Sequence, residues 1–199
     1  LASYTSSYAY SQDLLSDSQY DWEGDLTTRL QELRDNTDDS LIISALVKGI
    51  TATASTDLIA SIKHTLNVSL KPVDSQNASI VLSQSAFDEI DNLKDDEGRY
   101  LVKQDLTSAS NYTLLGKTLV VVADTLFPSA KVGDITIVIA PLQKAVVKFK
   151  NNEITGKFVD TYDLYYRILG IYLREDVEQA RDDLITLIQK APATTEAGK

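Results

Sequence analysis

The stretch "FDEIDNLKDDEGRYL", residues 87–101, changes character part-way along. Phe87, Ile90 and Leu93 are spaced by three, which predicts one face of a helix. Ser85, just upstream, is a candidate N-cap for it. Then Lys94, Asp95, Asp96 and Glu97 follow without a break, and Gly98-Arg99-Tyr100 closes the run. A calcium loop of the EF-hand type needs oxygens at alternate positions and a closing glutamate. Adjacent acids do not supply that spacing. The plainer reading is a solvated turn in which Gly98 takes a positive φ. A Glu97–Arg99 pair there would contribute only about 0–1 kcal/mol. The stretch reads as architecture, not as a chemical site.

Upstream, "ASIVLS" (78–83) predicts a short buried strand. Asp57–Leu70 predicts a helix with Leu58, Ile59, Ile62 and Leu66 on one side. Pro72 and "DSQN" read as a turn between the two, and "TATAST" (51–56) as a linker. Further back, Trp22, Leu26, Leu30 and Leu33 form the stripe of a long amphipathic helix. Ser18 is its candidate cap, with Asp21 three residues on. The stripe resumes at Leu41, Ile42, Ala45 and Leu46 and stops at Gly49. Gly24 and "DNTDD" (35–39) are candidate breaks. At the front, Tyr4, Ser6, Tyr8 and Tyr10 alternate as on a strand, and "SQDLLSD" predicts one helical turn.

Downstream, "LLGKTLVVVADTL" holds a β-branched strand after Gly116, and "DITIVIAP" another, stopped by Pro141. "AVVKFKNNEITGKFV" predicts a hairpin turning at Asn151-Asn152. "LYYRILGIYLRED" fits a long strand or a helix, and "DLITLIQ" a last strand. "APATTEAGK" reads as a disordered tail. Helices followed by a series of strands make an α+β chain, with one domain inserted in another. No 20–50-residue period repeats, which excludes a solenoid.

The 199 residues are 43% hydrophobic and 24% charged, ordinary globular values. No apolar run is long enough to cross a bilayer as a helix, so no membrane partner is expected. The formal net charge of −10 opposes binding to nucleic-acid phosphate. Without cysteine there is neither a disulfide framework nor a thiolate metal site. His64, the single histidine, lies in a helical pattern, where a surface or satisfied-core role outweighs a catalytic one. There is no GxSxG elbow, P-loop or GxGxxG. No catalytic residue, cofactor site or metal site is therefore expected, and no enzyme. Tyr162, Tyr165, Tyr166 and Tyr172 cluster late in the chain, fitting an interface or half-buried sheet positions.

"FDEIDNLKDDEGRYL" and, after a gap, "YTLLGKTLVVVADTL" (112–126) together resemble the major capsid proteins of tailed bacteriophages, the Hong Kong 97-type fold. The matching residues are Lys94, Asp95, Gly98, Arg99 and Tyr100, then Gly116, then Gly133-Asp134 opening "DITIVIA". Thr118 stands where that family usually has proline. "YSQDLLSDSQYDWEGDLTTRL" is similar to the lead into the family's spine helix, and "YRILGIYLREDVEQARDDLITLI" to its closing strands.

The resemblance implies a peripheral domain over 1–49 and 150–191. Within it, 1–10 would be a remnant of an extended loop and 11–49 the spine-helix region. It implies an inserted axial α/β domain over 50–149 and a flexible tail over 192–199. It also implies self-assembly as hexamers and pentamers into an icosahedral shell around DNA, without specific nucleic-acid binding. Scaffold, portal and protease proteins would be partners during assembly, in the host cytoplasm before the virion forms. An encapsulin-type cage is the nearest alternative, and an α+β enzyme or binding module a more distant one. The chain begins at Leu1 and has no methionine, so a fragment lacking the family's N-terminal arm and part of the loop is expected. The loop lysine that crosslinks some members is absent, and its late partner position falls near Arg167. The Tyr4–Tyr10 strand is then expected to lack a partner within the chain, and the chain to be mostly monomeric.

Overall fold

A computed structural model describes residues 2–11, 13, 22–94, 98–100, 102–104, 112–128, 134–150, 155–160 and 165–190. In chain order the first elements are strand β1 (Ala2–Ser11), helix α1 (Trp22–Val47) and strand β2 (Thr53–Ala54). Helix α2 (Leu58–His64) runs into a π turn (Thr65–Ser69), followed by α3 (Pro72–Gln76), β3 (Ser79–Ser83) and α4 (Gln84–Asp91). Then come β4 (Lys103–Gln104), β5 (Tyr112–Leu114), β6 (Lys117–Val122), β7 (Ile135–Ala140) and α5 (Leu142–Ala145). The last elements are β8 (Val146–Lys150), β9 (Thr155–Asp160), β10 (Tyr166–Gln179) and β11 (Thr186–Lys190). They fall into two compact units: Leu1–Ile42 with Lys148–Glu178, and Ile43–Val147 with Gln179–Lys199.

The first unit is a helix with a four-stranded sheet. Strand β1 alternates as its sequence predicts: Tyr10 is buried, Tyr4, Ser6 and Tyr8 are half-buried, and Ser3, Thr5, Ser7 and Ala9 are exposed. It pairs antiparallel with β10 from Ala2 opposite Glu175 to Ser11 opposite Tyr166. This corrects the expectation of a strand without a partner. The fourteen-residue β10 offers an edge longer than β1, and pairing satisfies both rows of backbone groups. Strand β9 bonds to the same β10 residues, Arg167–Tyr172, so it takes the opposite edge. Strand β8 also bonds to β10. The expected β8–β9 hairpin is thus replaced by two strands that each pair with β10, and Asn151-Asn152 lies outside the described residues.

Helix α1 runs unbroken through Gly24 and "DNTDD". The Thr28 and Thr37 hydroxyls donate to the carbonyls of Gly24 and Leu33, four residues back, so they are satisfied within the helix without breaking it. Arg29 also donates to Asp25, 2.8 Å away and one turn back. Gly49, with φ 74°, follows the helix end as a left-handed cap. Ser18, Asp21 and most of "SQDLLSD" lie outside the described residues.

The second unit holds a seven-stranded sheet in the order β2-β11-β7-β3-β6-β5-β4. Every residue of β7 is buried, as a central strand requires. Strand β3 runs parallel to β6 and antiparallel to β7. Ile62 of α2 and Ile90 of α4 meet Ile80, Leu82, Ile137 and Ile139 of the sheet in one apolar core. Strand β11 pairs with β7 and β2, so it belongs to this sheet, whereas residues to 191 were expected with the spine helix. Leu187 and Ile188, adjacent and therefore on opposite faces, are both buried, so this strand is covered on both faces.

Two local expectations also change. The "DSQN" region is a short helix, α3, because Pro72 at its first turn forfeits no hydrogen bond. The cap of α4 is Ser83, whose hydroxyl accepts from the Ala86 amide, and not Ser85. Ser85 instead donates its amide and hydroxyl to the Asp124 carboxylate, at 3.1 and 2.5 Å.

Candidate functional site

The residues singled out by the motif reading separate into three places in the second unit. Lys94 and Tyr100 face each other in an isolated antiparallel bridge. The Lys94 ammonium lies 4.6 Å from the centroid of the Tyr100 ring, a cation–π contact. Gly98 has φ 79°, the left-handed conformation expected of it. Lys94, Arg99 and Tyr100 are all exposed. Lys94 and Tyr100 are therefore held together at the surface by a backbone bridge and a ring contact. Asp95, Asp96 and Glu97, and with them the proposed Glu97–Arg99 pair, lie outside the described residues.

Gly116 sits in the two-residue turn between β5 and β6. Both Leu115 (φ 53°) and Gly116 (φ 74°) are left-handed there, as a tight hairpin with the twist of its strands requires. Leu115 is the one non-glycine residue with positive φ among those described. Gly133 lies outside the described residues. Its neighbour Asp134 contributes through its backbone: its carbonyl accepts from the Ser83 hydroxyl at 3.2 Å.

Ser83 is the residue that pattern reading missed. It is fully buried at the end of β3, and its Oγ also accepts from the amides of Ala86 and Thr136, each at 3.2 Å. One hydroxyl thereby ties the end of β3 to the start of α4 and the start of β7. The available signal was its place directly after a buried β run and before a helical stripe.

The late tyrosines resolve toward surface. Tyr165, Tyr166 and Tyr172 are 70, 50 and 40% exposed, and Phe149 on β8 is 51% exposed. The Tyr172 hydroxyl lies 3.1 Å from Ser3 Oγ. Tyr162 lies outside the described residues. His64 is exposed, beside a recess of about 240 Å³ edged by Ser61, Ser69 and Thr186. Among the described residues no group of three His, Cys, Asp or Glu side chains is placed to hold a metal ion. Among them, too, no helix is long and apolar enough to cross a membrane. What this geometry offers is a sheet-centred body with exposed aromatic residues and well-tied turns.

The profile of the phage capsid family matches residues 2–165. The chain belongs to the phage capsid family. It is a shell-forming major capsid protein, a structural protein of the virion capsid. The α+β class and the Hong Kong 97-type resemblance both hold.

The fold is similar to the capsid of an empty GTA particle, with TM-score 0.75 and 16% identity over 96% of this chain and 74% of that one. It is similar to a holo-SrpI encapsulin complex from Synechococcus elongatus, with TM-score 0.70 and 12% identity over 100% of this chain and 76% of that one. It is similar also to a chain of Mycobacterium phage Che8, with TM-score 0.63 and 15% identity over 94% of this chain and 70% of that one. No curated protein sequence matches the chain. The encapsulin alternative fits less well, because that likeness is of fold while the family match is to phage capsids.

Proposed function

We propose that this capsid protein tiles an icosahedral shell as hexamers and pentamers and encloses packaged DNA. The family match over residues 2–165 carries the reading. The first unit, with the long α1 and β10, corresponds to the peripheral domain of such a subunit. The second unit corresponds to the axial domain, inserted in chain order and completed by β11. Ring closure of this kind needs heterologous contacts that return on themselves. The exposed Tyr165, Tyr166, Tyr172 and Phe149 supply large, low-entropy contact area for them. Lys94, Gly98, Arg99 and Tyr100, with Gly116 and Asp134, serve as structural turn residues and take no part in chemistry. The net charge of −10 suits a wall along which DNA slides without adhering. Scaffold, portal and protease proteins are its partners before the shell matures, in the host cytoplasm. No catalytic step is assigned to it.

Electron microscopy of the natural gene product, expressed alone and with its genomic neighbours, tests this. Closed particles with fivefold and sixfold clusters are expected. Single subunits under both conditions overturn the reading. Particles filled with a cargo enzyme in place of nucleic acid would favour the cage alternative.

A further inference from the structure

Three elements of the first unit meet at a cluster of charge around one buried carboxylate. Glu175 on β10 is 1% exposed and shares its sheet face with the buried Leu173 and Val177. Its Oε2 lies 3.1 Å from the Lys148 ammonium of β8. The same ammonium bonds the Asp38 carboxylate of α1. Glu175 Oε1 is buried and has no hydrogen-bond partner among the described residues. Helix α1 also brings Arg34, whose Nε is 3.9 Å from Asp38 Oδ2, and the acids Asp35 and Asp39. Strand β1 brings Tyr4, which feels the charges of Glu175 and Asp176. Arg34 is half in solvent, so it offsets Asp38 only in part. Two carboxylates thus share one half-buried ammonium, and one buried carboxylate oxygen is left bare.

A buried charge with a bare oxygen is costly, and a proton removes that cost. We propose that the Asp38–Lys148–Glu175 cluster is a proton-gated clasp: a proton on Glu175 locks helix α1 onto strands β8 and β10, and its loss in alkali loosens them. Electrostatics point the same way. Burial pushes the Glu175 carboxyl up, Asp38 adds to this, and Lys148 opposes it. Burial, then Asp35 and Asp38, push Asp39 up. Burial, then Asp176 and Glu175, push Tyr4 up. For Lys148, burial acts to lower the ammonium, but its bonds to Asp38 and Glu175 outweigh that and hold it above the ordinary lysine value. A raised acid binds its proton more tightly in the folded than in the unfolded chain. The Glu175 contribution is therefore full below the ordinary carboxylate range and is lost as pH rises through its folded value. Lys148 stays charged across that window.

Hydrogen exchange of the α1 and β10 amides, corrected for intrinsic rates, tests the clasp. In the unmodified chain, opening is expected to be roughly tenfold more frequent in mild alkali than below the ordinary carboxylate range, at about pH 4. Glu175→Gln, which imitates the protonated form, should remove that dependence, and Asp38→Asn should reduce it. A flat profile in the unmodified chain, or the same slope in a folded Glu175→Gln chain, overturns the proposal. Because either variant could fail to fold, a carboxyl carbon NMR titration of the unmodified chain is the second measurement. A Glu175 midpoint within the ordinary glutamate range also overturns it.

Discussion

The Ser83 hydroxyl bonds to three backbone groups at once. Alanine at this position leaves the amides of Ala86 and Thr136 and the carbonyl of Asp134 one partner short, in a site with no solvent. Ser83→Ala is expected to cost about 1–3 kcal/mol, read as a lower urea midpoint with unchanged m. Gly98 makes a different kind of demand. A Cβ there would meet nothing within 4 Å, so the whole cost of substitution is backbone strain at φ 79°. Gly98→Val should destabilise the second unit by roughly 1–3 kcal/mol, and Gly98→Asn by clearly less, since asparagine tolerates the left-handed region. Equal losses for the two would show that something other than φ is at work. Leu115 is the converse case, a large residue already in that conformation. Leu115→Gly should be neutral or stabilising, and a lower melting temperature would contradict this.

At the scale of elements, the apolar periodicities were the readable part. The alternation of Tyr4 to Tyr10 gave β1 its inward face, and the leucine and isoleucine stripes placed α1, α2 and α4. Pairing was less readable, because it depends on which edge is free and not on any one strand's own pattern. Strand β1 was expected to lack a partner because the resemblance implied that the rest of its loop is missing; the partner it has, β10, begins 155 residues beyond its last residue. The Ser83 cap was misplaced by two residues for a related reason. Both Ser83 and Ser85 are good cap types, and their distant partners separate them: Asp134 and Thr136 for Ser83, Asp124 for Ser85. Glu175 was hidden in a charged run, although its parity with Leu173 and Val177 marked it as inward. The centre of the second unit is the most sensitive element. Ile139 of β7 is fully buried between Ile80 of β3 and Thr186 of β11. Ile139→Ala should cost about 2–5 kcal/mol, measured by chemical denaturation, while the exposed Val73→Ala should cost little. A small loss at Ile139 would mean that the sheet collapses readily around the gap.

For the whole molecule, composition already limits what binds. With 19 basic against 29 acidic side chains, a continuous basic stripe is hard to build. Negligible affinity for duplex DNA at physiological salt is expected in a mobility-shift assay, and salt-sensitive micromolar binding would contradict the proposed lining role. Chelator should leave the melting temperature unchanged; a fall restored by one metal would reveal a site among residues that motif reading passed over.

The way the chain is shared between the two units has a consequence for its synthesis. It crosses from one unit to the other after Ile42, again after Val147 and again after Glu178. A ribosome makes residues in order, so α1 emerges long before the β8 and β10 strands that complete its unit. The second unit likewise waits for β11, which fills the position between β7 and β2. Neither half can finish folding while much of the chain is still being translated. Both units of the nascent protein are therefore completed late. Until then its apolar faces and unpaired strand edges stay open to other growing copies.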